Sequence, residues 1–80
     1  MITGSQIRAA RALLRWSAGY LAEKVGSARQ TIMRFEQVDD VPPSRTQTLM
    51  EIKRVFEEVG LEFIGTPDNG PGVRFSPKAR

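Results

Sequence analysis

Four side chains in the segment "RQTIMRFE" have the chemistry to read the edge of a nucleic-acid base. Arg29 and Gln30 are adjacent, and Met33 and Arg34 follow them one helical turn later. On a helix, residues four apart are neighbours on one face. Arginine pairs with guanine and glutamine with adenine through two hydrogen bonds, and an apolar group contacts the thymine methyl. The spacing therefore predicts base contacts in a DNA major groove from all four residues, with phosphate as the alternative partner of either arginine.

A second set of positions has the chemistry to hold the phosphates that flank such a groove. Exposed cations bind phosphate by charge, and the free amides at a helix start bind it without any side chain. We expect the first kind of contact from basic residues around the second helix, and the other at the starts of the second and fourth helices. These predicted phosphate contacts are Arg15, Ser17, Ala18, Lys24, Arg45 and Thr46.

The positive charge of the chain is concentrated in the segment that contains these residues. Residues 1–36 carry six basic and two acidic side chains, a net charge of +4. Residues 37–80 carry six basic and seven acidic side chains, a net charge of −1. A basic surface of this kind suits a polyanion, although an ordinary solvated surface has the same composition.

The composition argues against most catalytic chemistry. The 80 residues include no histidine and no cysteine, so the commonest general base, the commonest metal ligands and any disulfide are missing. We therefore expect no enzyme, no metal site, no cofactor and no small-molecule ligand. The first residues contain Arg8 and no long apolar run, and no later segment has the length of a membrane span, so a cytoplasmic protein is expected.

Four helices are predicted from apolar periodicity and from their end signals. Ser/Thr-x-x-Gln sequences, which cap the first turn of a helix, begin at Thr3, Ser27 and Ser44, and Ser17 is a fourth cap. The expected ends are about Leu14 for the first helix, Gly26 for the second, Glu36 for the third and Val59, followed by Gly60, for the fourth.

Three side chains have a competing structural use in this arrangement. Gln30 closes the predicted capping box with Ser27 if it does not contact a base. Met33 packs on the fourth helix if it does not contact a thymine. Trp16 has the ring for a stacking platform, but packing in the core or at a hinge is the favoured interpretation.

The C-terminal segment changes from helical to strand periodicity. Apolar and polar residues alternate in "LEFIG" and "VRF", and "TPDNGPG" between them is typical of a turn, with Asn69 and Gly70 expected at positive φ. Pairing Phe63 with Val73 places Glu62 opposite Arg74. This match of apolar and charged pairs predicts a β-hairpin in that register.

The second and third helices, joined through Gly26 with the small Ala22 at their closest approach, form a predicted helix-turn-helix. The segments "QIRAARALLRWS" and "LAEKVGSARQTIMRFE", with the apolar helix from Thr46 to Val59, resemble the Cro and phage-repressor (XRE-type) family over roughly residues 5–60. The resemblance implies a compact four-helix bundle that binds an operator as a dimer. It also implies a structural pair between Arg11 and Glu36.

The sequence departs from this family at three places. Ala18 stands where the family usually has a glutamine that contacts phosphate, so one anchoring contact is in question. Ala28 stands where a serine or threonine usually caps the third helix, and Ser27 is expected to take over as the cap. A hairpin replaces the usual fifth helix, as in small bacterial regulators that end in "GVEFI…GPGVR".

The expected fold is thus mainly α, a compact four-helix phage-repressor-like bundle followed by a C-terminal β-hairpin. Residues 1–60 form the DNA-binding domain with a recognition helix at about 28–36, residues 61–76 form the hairpin and residues 77–80 a disordered tail. The predicted function is sequence-specific binding of double-stranded DNA by a small transcriptional regulator, as a homodimer joined through residues 61–75. The alternatives are a monomer whose hairpin packs on its own fourth helix, and a protein-interaction module of antitoxin or adaptor type that binds DNA weakly or not at all.

Overall fold

The computed structural model describes residues 1–76, which form four helices followed by a two-stranded antiparallel hairpin. The mainly α class with a C-terminal hairpin is therefore confirmed, and the predicted disordered tail at 77–80 lies outside the described residues. None of the helices within residues 1–76 combines the length and the apolar composition that a membrane crossing requires. The elements are α1 (Gly4–Leu14), α2 (Ala18–Val25), α3 (Arg29–Glu36), α4 (Thr46–Glu58), β1 (Leu61–Thr66) and β2 (Asn69–Phe75).

Two of the four predicted N-terminal caps are confirmed. The Thr3 hydroxyl accepts a hydrogen bond from the Gln6 amide at 3.1 Å, and the Gln6 side-chain oxygen accepts one from the Thr3 amide at 2.8 Å. The Ser17 hydroxyl accepts from the Tyr20 amide at 3.0 Å. Both arrangements satisfy amides that the first helical turn leaves without an internal partner.

The capping boxes predicted at Ser27 and Ser44 are wrong. The residues at the cap positions are Ala28 and Arg45, and neither helix has a side-chain cap. Ser27 belongs to the preceding turn, because its amide donates to the Ala22 carbonyl at 2.8 Å. Arg45 is extended, so the first helical residue is Thr46 and the Ser44 hydroxyl lies one residue too early.

Helices α1 and α2 end in the same way, with one residue in the left-handed region. Gly26 has φ 67°, its amide donates to the Glu23 carbonyl, and the following amide reaches Ala22. This is a Schellman motif, for which glycine is the residue of lowest steric cost. Arg15 occupies the equivalent position after α1 with φ 58°. Helix α4 stops at Glu58, with Val59 already outside the helical region.

One hydrophobic core joins all four helices to the first strand. Helix α1 contributes Ile7 and Ala10, and β1 contributes Leu61, whose exposed fraction is 1%. The hairpin is therefore part of the packed body of the protein rather than an appendage. The buried apolar residues are Ile2, Ile7, Ala10, Ala18, Leu21, Ala22, Ile32, Phe35, Leu49, Ile52, Val55, Phe56 and Leu61.

The hairpin has the predicted register but a shorter turn. Phe63 pairs with Val73 and Glu62 with Arg74, as the alternation indicated. The prediction of positive φ at Asn69 is wrong, because the turn consists of residues 67–68 and Asn69 already pairs with Thr66 in the ladder. A bulge between Ile64 and Thr66 accommodates one more residue on β2 than on β1, because Ile64 pairs with Gly72 and Thr66 with Asn69.

Candidate nucleic-acid interface

Helix α1 holds the C-terminal end of α3 through two arginines. Arg11 donates to both carboxylate oxygens of Glu36 at 2.7 Å and to the Trp16 carbonyl at 2.8 Å. The Glu36 carboxylate also raises the pKa of Arg11 above its ordinary value, through these hydrogen bonds and its charge. Arg8 donates to the Glu36 carbonyl and forms an ion pair with Asp39. The predicted pairing of Arg11 with Glu36 is confirmed, and it attaches the C-terminal end of α3 to α1.

Helix α2 supports α3 on its other side. Ala22 is 3% exposed, and the short turn after Gly26 brings Leu21 of α2 and Ile32 of α3 into one core. A small side chain at Ala22 permits this close packing. As a result, only one face of α3 is left in contact with solvent.

The exposed face of α3 carries the four residues predicted to contact bases. Arg29, Gln30 and Arg34 are exposed, and Met33 is 41% exposed. The Gln30 side chain forms no hydrogen bond within residues 1–76, so the predicted competition from a capping box with Ser27 does not occur. Met33 lies beside α1 and the start of α2 rather than on α4.

A shallow depression joins the start of α2 to the side of α3. It brings together two of the predicted base contacts, Arg29 and Met33, with two of the predicted phosphate contacts, Ser17 and Ala18. A Cβ added at Gly19 would lie 3.8 Å from Cδ of Arg29, so the aliphatic part of that side chain passes over the start of α2. Arg8, Arg11, Glu36 and Gln37 complete the lining.

Lys24 lies over an aromatic cluster at the surface of α2. Its ammonium is 5.3 Å from the ring centre of Tyr20 and 5.8 Å from that of Trp16. Trp16 is half-buried and stacks on Phe56 at 5.4 Å, so its predicted packing role is confirmed. These contacts restrict the exposed Lys24 side chain while leaving its charge unpaired by any carboxylate in residues 1–76.

The remaining predicted phosphate contacts lie apart from this depression. Arg45 lines a second depression with Gly26 and Ser27, on the turn between α2 and α3. Thr46 is exposed and faces the outer side of α4. Arg15 is exposed in the turn between α1 and α2.

Ion pairing divides the basic residues into two groups. Within residues 1–76, five of them form ion pairs, namely Arg8, Arg11, Lys53, Arg54 and Arg74. The other basic residues in this range have no carboxylate partner. They are Arg15, Lys24, Arg29, Arg34 and Arg45, the same five cations that the sequence analysis assigned to DNA.

Sequence reasoning missed long-range contacts of Gln6 and Arg8 and the aromatic contact of Tyr20. Gln6 also donates to the Ile64 and Gly72 carbonyls at 3.1 and 2.9 Å and so ties the hairpin to α1. No local pattern indicates this long-range contact, nor that of Arg8 with the end of α3. Tyr20, in contrast, lies four residues from both Trp16 and Lys24, and that spacing was a signal of their cluster.

No protein-family model matches the chain, and a search of curated proteins gives no significant match.

Proposed function

We propose that this chain is a sequence-specific double-stranded-DNA-binding regulator of bacterial cytoplasm, of the Cro and phage-repressor type. In this proposal α2 and α3 form the helix-turn-helix, and α3 enters the major groove with Gln30, Met33 and Arg34 toward the base edges. Arg29 contacts the DNA from the side of the same helix. An α-helix fits the major groove, and its first turns supply the residues that reach bases.

The observation that carries the proposal is that some basic residues have a carboxylate partner and others do not. A neighbouring carboxylate competes with phosphate for a cation, whereas a cation without such a partner has no competing anion. Within residues 1–76, the five cations without such a partner lie in α2, in α3, in the turn before α2 and directly before α4. Contacts between these side chains and phosphates release counterions from DNA, which drives binding.

A selection from random duplexes followed by binding titrations tests the proposal. The selection should return a consensus sequence, and the affinity for it should fall linearly with salt on logarithmic axes. Arg34→Ala should weaken binding to the consensus by about 5- to 150-fold if Arg34 contacts a base. Arg54→Ala is the matched control, because Arg54 is an exposed arginine held by Glu51 and Glu58 on α4. It should bind as the wild type does.

Absence of any salt-dependent binding to duplexes would contradict the proposal. Affinity for a protein that does not respond to salt would then favour the alternative of a protein-interaction module. Equal effects of Arg34→Ala and Arg54→Ala would exclude α3 as the contacting helix while leaving DNA binding itself in place.

We propose in addition that the regulator is a homodimer joined through the hairpin at residues 61–75. The sheet has two strands, so each has an outer edge without a neighbouring strand in residues 1–76, and such edges accept another strand. The outward face carries Ile64, 40% exposed, beside the cross-strand ion pair of Glu62 and Arg74. A twofold dimer presents two recognition helices to successive turns of DNA.

A further inference from the structure

We infer that Arg29 holds the DNA backbone and that the base specificity of α3 belongs to Gln30, Met33 and Arg34. This assignment rests on the proposed function and gives different DNA contacts to different residues of the recognition helix. It makes Arg29 a positioning residue, whose removal lowers affinity for every sequence alike.

The first argument is the position of Arg29 around the helix. Successive residues of an α-helix are about 100° apart, so Gln30 lies almost opposite the buried Ile32 and Phe35. Met33 and Arg34 lie within about 60° of Gln30, one on each side. Arg29 lies about 100° from Gln30 and about 20° from the buried Glu36. It therefore lies toward the flank of α3, about 40° beyond Met33, which lines the same depression, whereas Gln30 and Arg34 point away from the core.

The second argument is the direction of the side chain. Arg29 passes over Gly19 and lines the depression that Ser17 and Ala18 form at the start of α2. Neither Ala18 nor Gly19 has a side chain that would push the arginine back toward the row of Gln30 and Arg34. The guanidinium is thus carried toward the neighbouring helix, where the edge of a groove-bound duplex presents its phosphates.

The third argument is charge. Three arginines line this depression, and two of them are already neutralised, Arg8 by Asp39 and Arg11 by Glu36. Arg29 has no carboxylate partner in residues 1–76 and is exposed. The uncompensated charge of the depression is therefore that of Arg29, and phosphate is the group in DNA that carries the opposite charge.

Salt titrations of single variants separate the two roles. The affinity of wild type, Arg29→Ala, Arg29→Lys and Arg34→Ala is measured on the selected consensus duplex and on an unrelated duplex. Arg29→Ala should weaken both duplexes by the same factor, about 5-fold near 0.15 M salt, and reduce the slope of log affinity against log salt by about 0.9. Arg29→Lys keeps the charge and should restore the slope. Arg34→Ala should instead reduce the preference for the consensus.

A change in preference at one base position in Arg29→Ala, or no change at all in that variant, would overturn the assignment. Because Arg29 is exposed, the thermal unfolding of Arg29→Ala should match that of the wild type. This match would confirm that the fold of the variant is intact. Failure of the wild type to bind any duplex would be a different outcome, since it contradicts the proposed function before the role of Arg29 is measured.

Discussion

Arg15 combines a strained backbone with an unpaired charge. It is the one residue other than glycine within 1–76 that adopts positive φ, at 58°. It closes α1 through its amide, which donates to Ala12, and through the following amide, which donates to Arg11. Glycine forms this ending without strain, whereas a side-chain-bearing residue pays about 1–2 kcal/mol in the left-handed region. In the proposed function, contact with a DNA phosphate would be a physical reason for an arginine at this position.

Arg15→Gly should therefore separate stability from binding. We expect the free energy of unfolding to rise by up to about 1 kcal/mol, because the left-handed strain is removed. Affinity for DNA should fall equally for consensus and unrelated duplexes, because one phosphate contact is lost. Urea unfolding and salt titrations measure the two effects. A more stable variant with unchanged affinity would remove Arg15 from the interface.

At the scale of the elements, the periodicity of apolar residues predicted the helices and the pairing of the two strands. Apolar periodicity gave the four helices, and the alternation of β1 and β2 gave the correct register, because each pattern follows directly from burial of one face. The caps at Ser27 and Ser44 failed because a Ser-x-x-Gln pattern is local. It does not reveal that the amide of Ser27 closes the preceding helix.

For the candidate site as well, periodicity predicted which side chains are exposed but not the contacts between separate helices. The helical period places Gln30, Met33 and Arg34 outward, and the structure has them exposed. The path of Arg29 over Gly19 and the ion pair of Arg8 with Asp39 depend on how separate helices pack. Contacts between residues distant in sequence leave no periodic signal in one chain, so the ion pair of Arg8 could only be seen in the structure. The pairs of Lys53 and Arg54, in contrast, join residues three or four apart on one helix.

Two glycines near helix starts, Gly4 on α1 and Gly19 on α2, predict opposite effects of substitution by alanine. A Cβ at Gly4 would overlap the carbonyl oxygens of Phe35 and Val38, which are backbone atoms that cannot move away easily. Gly4→Ala should lower the free energy of unfolding by about 2 kcal/mol or more. A Cβ at Gly19 meets only ordinary contacts at 3.8 and 3.9 Å, so Gly19→Ala should raise it by about 0.5–1 kcal/mol. Equal signs in denaturant unfolding would contradict this packing.

The hairpin predicts a small dependence of stability on acid. The hydrogen bond and charge of Arg74 hold the pKa of Glu62 below its ordinary value of 4.5. A carboxylate with a lowered pKa stabilises the fold above its ordinary pKa, and this contribution is lost as the pH falls through the lower value. The stability difference between wild type and Glu62→Gln should thus shrink from neutral pH to about pH 3. A difference between wild type and Glu62→Gln that stays constant over this pH range would contradict the contribution of this ion pair.

At the scale of the whole molecule, the hairpin cannot be removed to test its role. Leu61 is buried with the helices, and Gln6 bonds to the carbonyls of both strands. Deleting residues after Gly60 would expose the core, so loss of a dimer in such a chain would only report unfolding. A single change on the outward face of the hairpin avoids this difficulty.

Ile64→Lys is that change, with Met50→Lys as its control. Both residues are exposed, by 40% and 60%, but Ile64 lies on β1 and Met50 on the outer side of α4. If two copies join through their hairpins, sedimentation should give a dimer for the wild type and Met50→Lys and a monomer for Ile64→Lys. The monomeric variant should then protect one half-site of DNA instead of two half-sites about 34 Å apart. A wild type that sediments as a monomer and protects a single half-site would contradict the dimer, and dissociation by Met50→Lys alone would move the interface to α4.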